Sequence, residues 1–317
     1  MSLNKPIYKL RDWINKDRID YVELSQNEKA IDILKNNNKI DWGYLCWNEN
    51  PEAIELLKAN PDKIRWLRLS SNPAAIKLLE ANPDKINWFY LSANPAAIKL
   101  LEANPNKINW SQLSLNPNAI KILEENCDKI DWFNLSRNPK AIKILEKNTD
   151  KIHWYCLPIN LNNMKLIESN IDKICWSCLS ETPDTIKLIK ANPNKIVWDL
   201  LSKNPNAIKL LEANQDKIRW SYLSCNPAAI KLLEANQDKI DWSYLSSNTA
   251  AIKLLEANQK KIDWFYFTTN PAIFELDYDA MKIANEGIYE NLLKEVMKPS
   301  RVFKERDYDY LEELFGD

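Results

Sequence analysis

The sequence predicts an all-α solenoid of about twelve 22-residue repeats, each pairing an α-helix with a short α or 3-10 element, closed by helical caps. Three observations lead there. A Trp falls every 22 residues from Trp66 through Trp88, Trp110, Trp132, Trp154, Trp176, Trp198, Trp220 and Trp242 to Trp264. Trp42 and Tyr21 carry the series backward through a two-residue insertion and a one-residue deletion. An Asn-Pro pair opens an apolar pattern of helical period in most units, as at Asn94-Pro95. No unit of this size buries its own apolar side, so stacked neighbours must supply the core.

Within the unit Trp88–Asn109, Asn94 caps a helix and Pro95 takes its first position, where a missing N–H costs nothing. Ala97, Ile98, Leu100 and Leu101 share one side, while Lys99 and Glu102 face outward at the spacing of surface ion pairs. Asn104 is expected to end this helix of about ten residues in the left-handed conformation, because the chain has only three Gly. The second element is one turn: Asn109 caps it, and Trp110 and Leu113 lie on its apolar side. Trp, Leu, Asn, Ile and Lys recur almost unchanged and read as the packing scaffold, with Trp as a buried aromatic. With packed helices ~8–10 Å apart, an open stack of twelve layers would run on the order of 100 Å.

Taken in order, residues 1–20 read as an N-terminal cap, with Ile7, Leu10, Trp13 and Ile14 at helical spacing. Residues 21–270 are the repeats, and 271–317 a C-terminal helical cap. In that cap Ala280–Met297 reads as a longer helix stopped by Pro299, followed by an amphipathic pattern at Val302, Phe303, Tyr310, Leu311 and Leu314. The unit around Leu157–Asn170 diverges most, with Pro158, Leu161 and Met164 in place of the usual Ser, Pro and Ile.

Composition narrows the function. The chain of 317 residues is 45% hydrophobic and 27% charged with net charge −1, and its Lys and Glu are interspersed. That removes any general electrostatic case for nucleic acid or an anionic membrane. No signal peptide is evident, and no apolar run reaches the length of a membrane span. The six Cys follow no disulfide framework, the pattern of a reducing compartment. One His, no Gly-rich loop and no nucleophile motif argue against an enzyme, a cofactor or a small-molecule substrate. The recurring Lys of Asp-Lys-Ile and its variants (Lys85, Lys107, Lys129) reads as a solvated or helix-end charge, with a nucleic-acid-facing Lys row as the alternative.

Two sets of residues are candidates for binding. His153, Cys156, Cys175 and Cys178 have zinc-like spacing. Stacked repeats set equivalent atoms about 10 Å apart, which favours ordinary apolar Cys. The second set is the variable pair of positions just before and two after each Trp. It runs through Arg65 and Arg68, Asn87 and Tyr90, Asn109 and Gln112, Asp131 and Asn134, then His153 and Cys156, Cys175 and Cys178, Val197 and Leu200. It ends with Arg219 and Tyr222, Asp241 and Tyr244, Asp263 and Tyr266. These residues are expected to line a partner-binding groove with an apolar middle at Cys175, Cys178, Val197 and Leu200. The competing reading makes the Asn and Asp simple helix caps.

The unit N-P-x-A-I-K-L-L-E-x-N-P-x-K-I-x-W-x-x-L-S resembles the Asn-Pro/Trp repeat proteins of giant DNA viruses such as mimivirus relatives. Tyr8–Ile14 is similar to their lead-in, and Ile273–Tyr278 with Lys298–Phe303 to their closing segment. The resemblance implies no enzymatic activity, cofactor or substrate. The long repeated surface, the absence of a catalytic constellation and the near-neutral charge point to a non-enzymatic scaffold for a protein partner, expected in the host cytoplasm (viral factory) or the virion.

Overall fold

The computed structural model describes residues 6–35, 37–157 and 164–285, together with 294 and 297. Pro158, Leu161, the side chain of Met164, most of the 286–297 segment and everything from Pro299 onward lie outside the described residues. The chain forms two compact units: residues 11–273, and residues 1–10 with 274–317.

Residues 11–273 form an all-α repeat solenoid. In the unit Trp88–Asn109 the first helix is Trp88–Ala93 and the second Ile98–Glu102, followed by a 3-10 turn at Pro105–Lys107. The second helix is therefore half the expected length. The Asn-Pro pair opens a turn, seen as 3-10 at Pro73–Ala75, before the α-helix begins at Ile76. Asn104 is not left-handed: its φ is −134° and ψ 57°. It ends the helix through its side chain, whose Nδ2 donates to the Leu100 carbonyl at 2.9 Å. That satisfies one carbonyl left over at the helix end, and Asn82, Asn126, Asn192, Asn214 and Asn236 repeat the device.

The core is two rows of fully buried side chains. Leu69, Leu91, Leu113, Leu135, Leu179 and Leu201 come from first helices, and Leu79, Leu101, Leu123, Leu145 and Leu211 from second helices. Burying one Leu stabilises by roughly 1.5–3 kcal/mol. The Trp side chains, read from sequence as buried, are only half-buried. Most are covered instead by a cation from the next repeat: Lys107 Nζ lies 4.8 Å from the Trp88 ring centre, Lys129 4.7 Å from Trp110 and Lys217 4.6 Å from Trp198. The recurring Lys is thus a packing element in its own right.

Two polar ladders join the layers. Asn116 accepts from the Asn118 amide with Oδ1 and donates with Nδ2 to the carbonyls of Ser92 and Asn94 in the preceding repeat. Asn94, Asn138, Asn226 and Asn248 do the same. The buried Ser at the fourth position after Trp donates to the Trp carbonyl and accepts the backbone amide just before the next Trp. Ser92 thus joins Trp88 to Asn109. Every group that the Asn and Ser bury has a partner, which buried polar groups require.

The stack does not end in two open, capped faces. Within residues 11–273 it closes on itself. Asp20 donates its backbone N–H to Thr268 Oγ1 at 3.2 Å, a rung of the Ser ladder with Thr in place of Ser. Arg18 lies 5.5 Å from the Trp264 ring centre, standing where Lys stands elsewhere. Arg11 donates to the carbonyls of Ile273 and Ala272, and Trp13 stacks on Phe267 at 5.6 Å. The first helix Tyr21–Leu24 packs on the last, Trp264–Thr269. An open rod of twelve layers is therefore replaced by a circuit. The segment read as an N-terminal helical cap splits: residues 11–20 complete the final repeat, using a 3-10 turn at Lys16–Arg18.

The other unit holds a two-stranded antiparallel pair, β1 (Tyr8–Leu10) and β2 (Phe274–Leu276), in register Tyr8 with Leu276 and Leu10 with Phe274. Lys9 and Glu275 form an ion pair across it at 3.6 Å. Ile7 and Leu10 are therefore not helical. Residues 278–285 are helical, the described part of the expected longer helix.

Candidate interaction face

Successive first helices pack directly on one another, as Trp88–Ala93 does on Trp110–Leu115 and Trp110–Leu115 on Trp132–Arg137. Successive second helices meet less closely, so the first helices occupy the tighter side of each turn. On the first helix, the third position after Trp points into the core, and the residues flanking Trp are left facing outward.

The position before Trp is chiefly a cap. The carboxamide or carboxylate of Asn87, Asn109, Asp131, Asp241 and Asp263 accepts from the backbone amides of Tyr90, Gln112, Asn134, Tyr244 and Phe265 in turn. These residues start the helix that carries the surface; replacing such a cap costs about 1 kcal/mol. Arg65, Arg219, Val197 and Cys175 hold the same place without a side-chain cap bond.

The position two after Trp is mixed. Tyr90, Tyr244 and Tyr266 are exposed, whereas Gln112, Asn134, Cys178, Leu200 and Tyr222 are half-buried. Tyr222 and Tyr244 meet edge-on across adjacent repeats at 6.3 Å, with Lys203 4.4 Å from the Tyr222 ring centre. Asn134 donates to the Ser111 carbonyl and hydroxyl of the preceding repeat, while Ser111 donates to Asp131. Contacts of this kind make the row continuous from repeat to repeat.

Sequence reasoning missed the position one after Trp. There Leu67, Phe89, Phe133, Tyr155 and Phe265 stand out, Tyr155 being 69% and Phe265 53% exposed. Phe133 meets the His153 ring edge-on at 5.4 Å, so this position belongs to the same surface. Its variability, equal to that of its neighbours, was the available signal. The exposed apolar groups gather at Leu67–Tyr90, Phe133–Tyr155 and Tyr244–Tyr266. Cys175, Val197 and Leu200, expected to form the apolar anchor, are half-buried.

Cys156, Cys175 and Cys178 lie in one neighbourhood. Burial pushes the Cys178 thiol up to about 12, helped by a hydrogen bond with Cys175. Burial also raises Cys156, and the thiols of Cys175 and Cys178 raise the Tyr155 phenol above its ordinary value. A protonated thiol is a poor nucleophile and a poor metal ligand. Among the described residues no group of three or more His, Cys, Asp or Glu side chains is arranged to hold a metal ion, so His153, Cys156, Cys175 and Cys178 do not assemble a zinc site. Nor is any described helix long and apolar enough to cross a membrane. Comparison with protein-family models, with curated proteins and with solved structures found no match to this chain.

Proposed function

We propose that the protein is a non-enzymatic scaffold that binds a protein partner through the outward face of its first helices. The observation that carries this reading is the run of exposed aromatic and aliphatic side chains at the two positions after Trp: Leu67, Phe89, Tyr90, Phe133, Tyr155, Tyr244, Phe265 and Tyr266. They stay exposed even where they meet one another or a neighbouring ring, as Phe89 meets Tyr90 and Phe133 meets His153. Aromatic residues held on a rigid scaffold give large contact area at little entropic cost. The Lys row, with most of its cations lying over a Trp ring, supports a packing role for those charges over nucleic-acid binding. The resemblance to giant-virus repeat proteins suggests the infected-cell cytoplasm or the virion as the setting.

The test is affinity capture with three baits of equal thermal stability: the unmodified chain, Phe133→Asp/Tyr155→Asp on the proposed face, and Lys143→Glu on an exposed second-helix position. A partner retained by the unmodified chain and by Lys143→Glu, and lost from the double variant, is the expected result. Equal capture by all three would overturn the reading.

A further inference from the structure

We propose that a cleft in the second repeat binds a monocarboxylate carried on an apolar group. The proposal does not rest on the scaffold reading. This repeat holds the two-residue insertion, which follows the ladder residue Asn48; it places Trp47 where later repeats have Ser71 and Ala93, and Gly43 directly after Trp42. Beside them lies a cavity of about 450 Å³ lined by Ile40, Trp42 and Leu67 on its apolar side and by Arg65, Arg68 and Asp41 on its polar side. Small-ligand sites have this size, and the polar share of this lining suits a charged ligand.

The arginines are prepared for an anion. The Arg68 guanidinium lies 4.5 Å from the Trp47 ring centre and 5.2 Å from that of Tyr44. Its planar fork is thereby held in place, which lowers the entropy lost on binding a carboxylate with two parallel hydrogen bonds. Gly43 makes the arrangement possible: a Cβ there would sit 2.7 Å from Arg68 Nη1. Arg65 occupies the cap position of the Trp66–Leu69 helix with no side-chain cap bond. Among the described ion pairs neither arginine meets a carboxylate. Asp41 uses its Oδ1 to cap the Tyr44 amide at 2.8 Å. Two arginines and one aspartate leave one net positive charge in the lining, which matches a monoanion better than a phosphate dianion.

The probe is 3-phenylpropionate, followed by saturation-transfer NMR and calorimetry at low salt, with 3-phenylpropionamide and phenyl phosphate as comparisons. The acid should bind at least about tenfold more tightly than the neutral amide, the loss expected when a charged hydrogen-bonding partner is removed. Arg68→Gln and Gly43→Val should each weaken the acid by about tenfold or more. Gly43→Val is the sharper variant: it displaces the guanidinium, while Val forms helix better than Gly, so the fold is kept. A second arm uses a short peptide ending in a free Phe carboxylate and its amidated form. Binding of the free-acid peptide as tight as that of the small acid, or tighter, identifies a chain terminus as the source; weaker binding identifies a small acid, and both results support the site. Absence of binding by either carboxylate, equal binding of acid and amide, tighter binding of phenyl phosphate, or unchanged binding in both variants would overturn it.

Discussion

Asn116→Ala removes one side chain and takes a hydrogen-bond partner from three backbone groups. Its Nδ2 holds the Ser92 carbonyl at 3.1 Å and the Asn94 carbonyl at 2.9 Å, and its Oδ1 holds the Asn118 amide at 3.0 Å. Asn116 is fully buried, and the Asn94 carbonyl keeps the Ala97 amide at 3.1 Å, so the Ser92 carbonyl is the buried group left unmet, at a cost of about 1–3 kcal/mol. The Asn118 amide lies nearer the surface and can turn to water, so about 1 kcal/mol is assigned to it. The expected loss is about 2–4 kcal/mol, a large part of an ordinary domain's stability. The control is Asn118→Ala. That side chain is exposed and makes an exposed bond to the Pro95 carbonyl, so about 0.5 kcal/mol or less is expected. Urea unfolding followed by circular dichroism and by Trp fluorescence measures both, and agreement of the two probes checks cooperativity. A loss below about 1 kcal/mol for Asn116→Ala, or equal losses for the two variants, would refute the ladder as the joint between layers.

The remaining expectations concern the core, the Trp cover and the thiols. Leu201 is fully buried and Leu200 half-buried, so Leu201→Ala should cost about 2–5 kcal/mol, while Leu200→Asp should leave the chain folded; thermal melts decide. Trp198 is half-buried under Lys217, so Trp198→Ala should cost about 2–3 kcal/mol, less than a fully buried aromatic, and Lys217→Gln about 0.5–1 kcal/mol, the value of an exposed cation–π contact. Iodoacetamide at neutral pH should label exposed Cys127 long before Cys178, as peptide mapping will show, because the Cys178 thiol is raised to about 12. Since its folded value lies above the unfolded one, Cys178 favours the folded state fully below the ordinary thiol range and loses that contribution as pH rises toward about 12.

The repeat was legible because packing and capping demand the same residues in every layer: Leu for the core, Asn for the ladder, Pro at the turn. The length of the second helix was not, because Asn-Pro is compatible with both α and 3-10 geometry and only neighbouring layers decide. Closure was hidden by substitutions at the joint. Arg18 stands for Lys, Tyr21 for Trp and Thr268 for Ser, each keeping the needed chemistry while breaking the pattern. Ile19-Asp20-Tyr21 aligns with Ile108-Asn109-Trp110, so the clue was present, but curvature comes from small rotations per layer that no single residue encodes. Within the face, Asn and Asp before Trp were legible as caps. The exposed Phe and Tyr one position after Trp were missed because a single helical turn was given too narrow an outward side.

Closure of the repeats on themselves rests most directly on the amide of Asp20, whose only described acceptor, Thr268 Oγ1, is 248 residues away. Hydrogen exchange of that amide, read residue by residue by NMR, compares it with the interior rung from the Asp241 amide to Ser224 Oγ. A closed circuit predicts protection of the Asp20 amide within about tenfold of the Asp241 amide, falling toward the unprotected rate in Thr268→Val while Asp241 is unchanged. An Asp20 amide that exchanges at the unprotected rate in the unmodified chain, with Asp241 protected, would contradict closure.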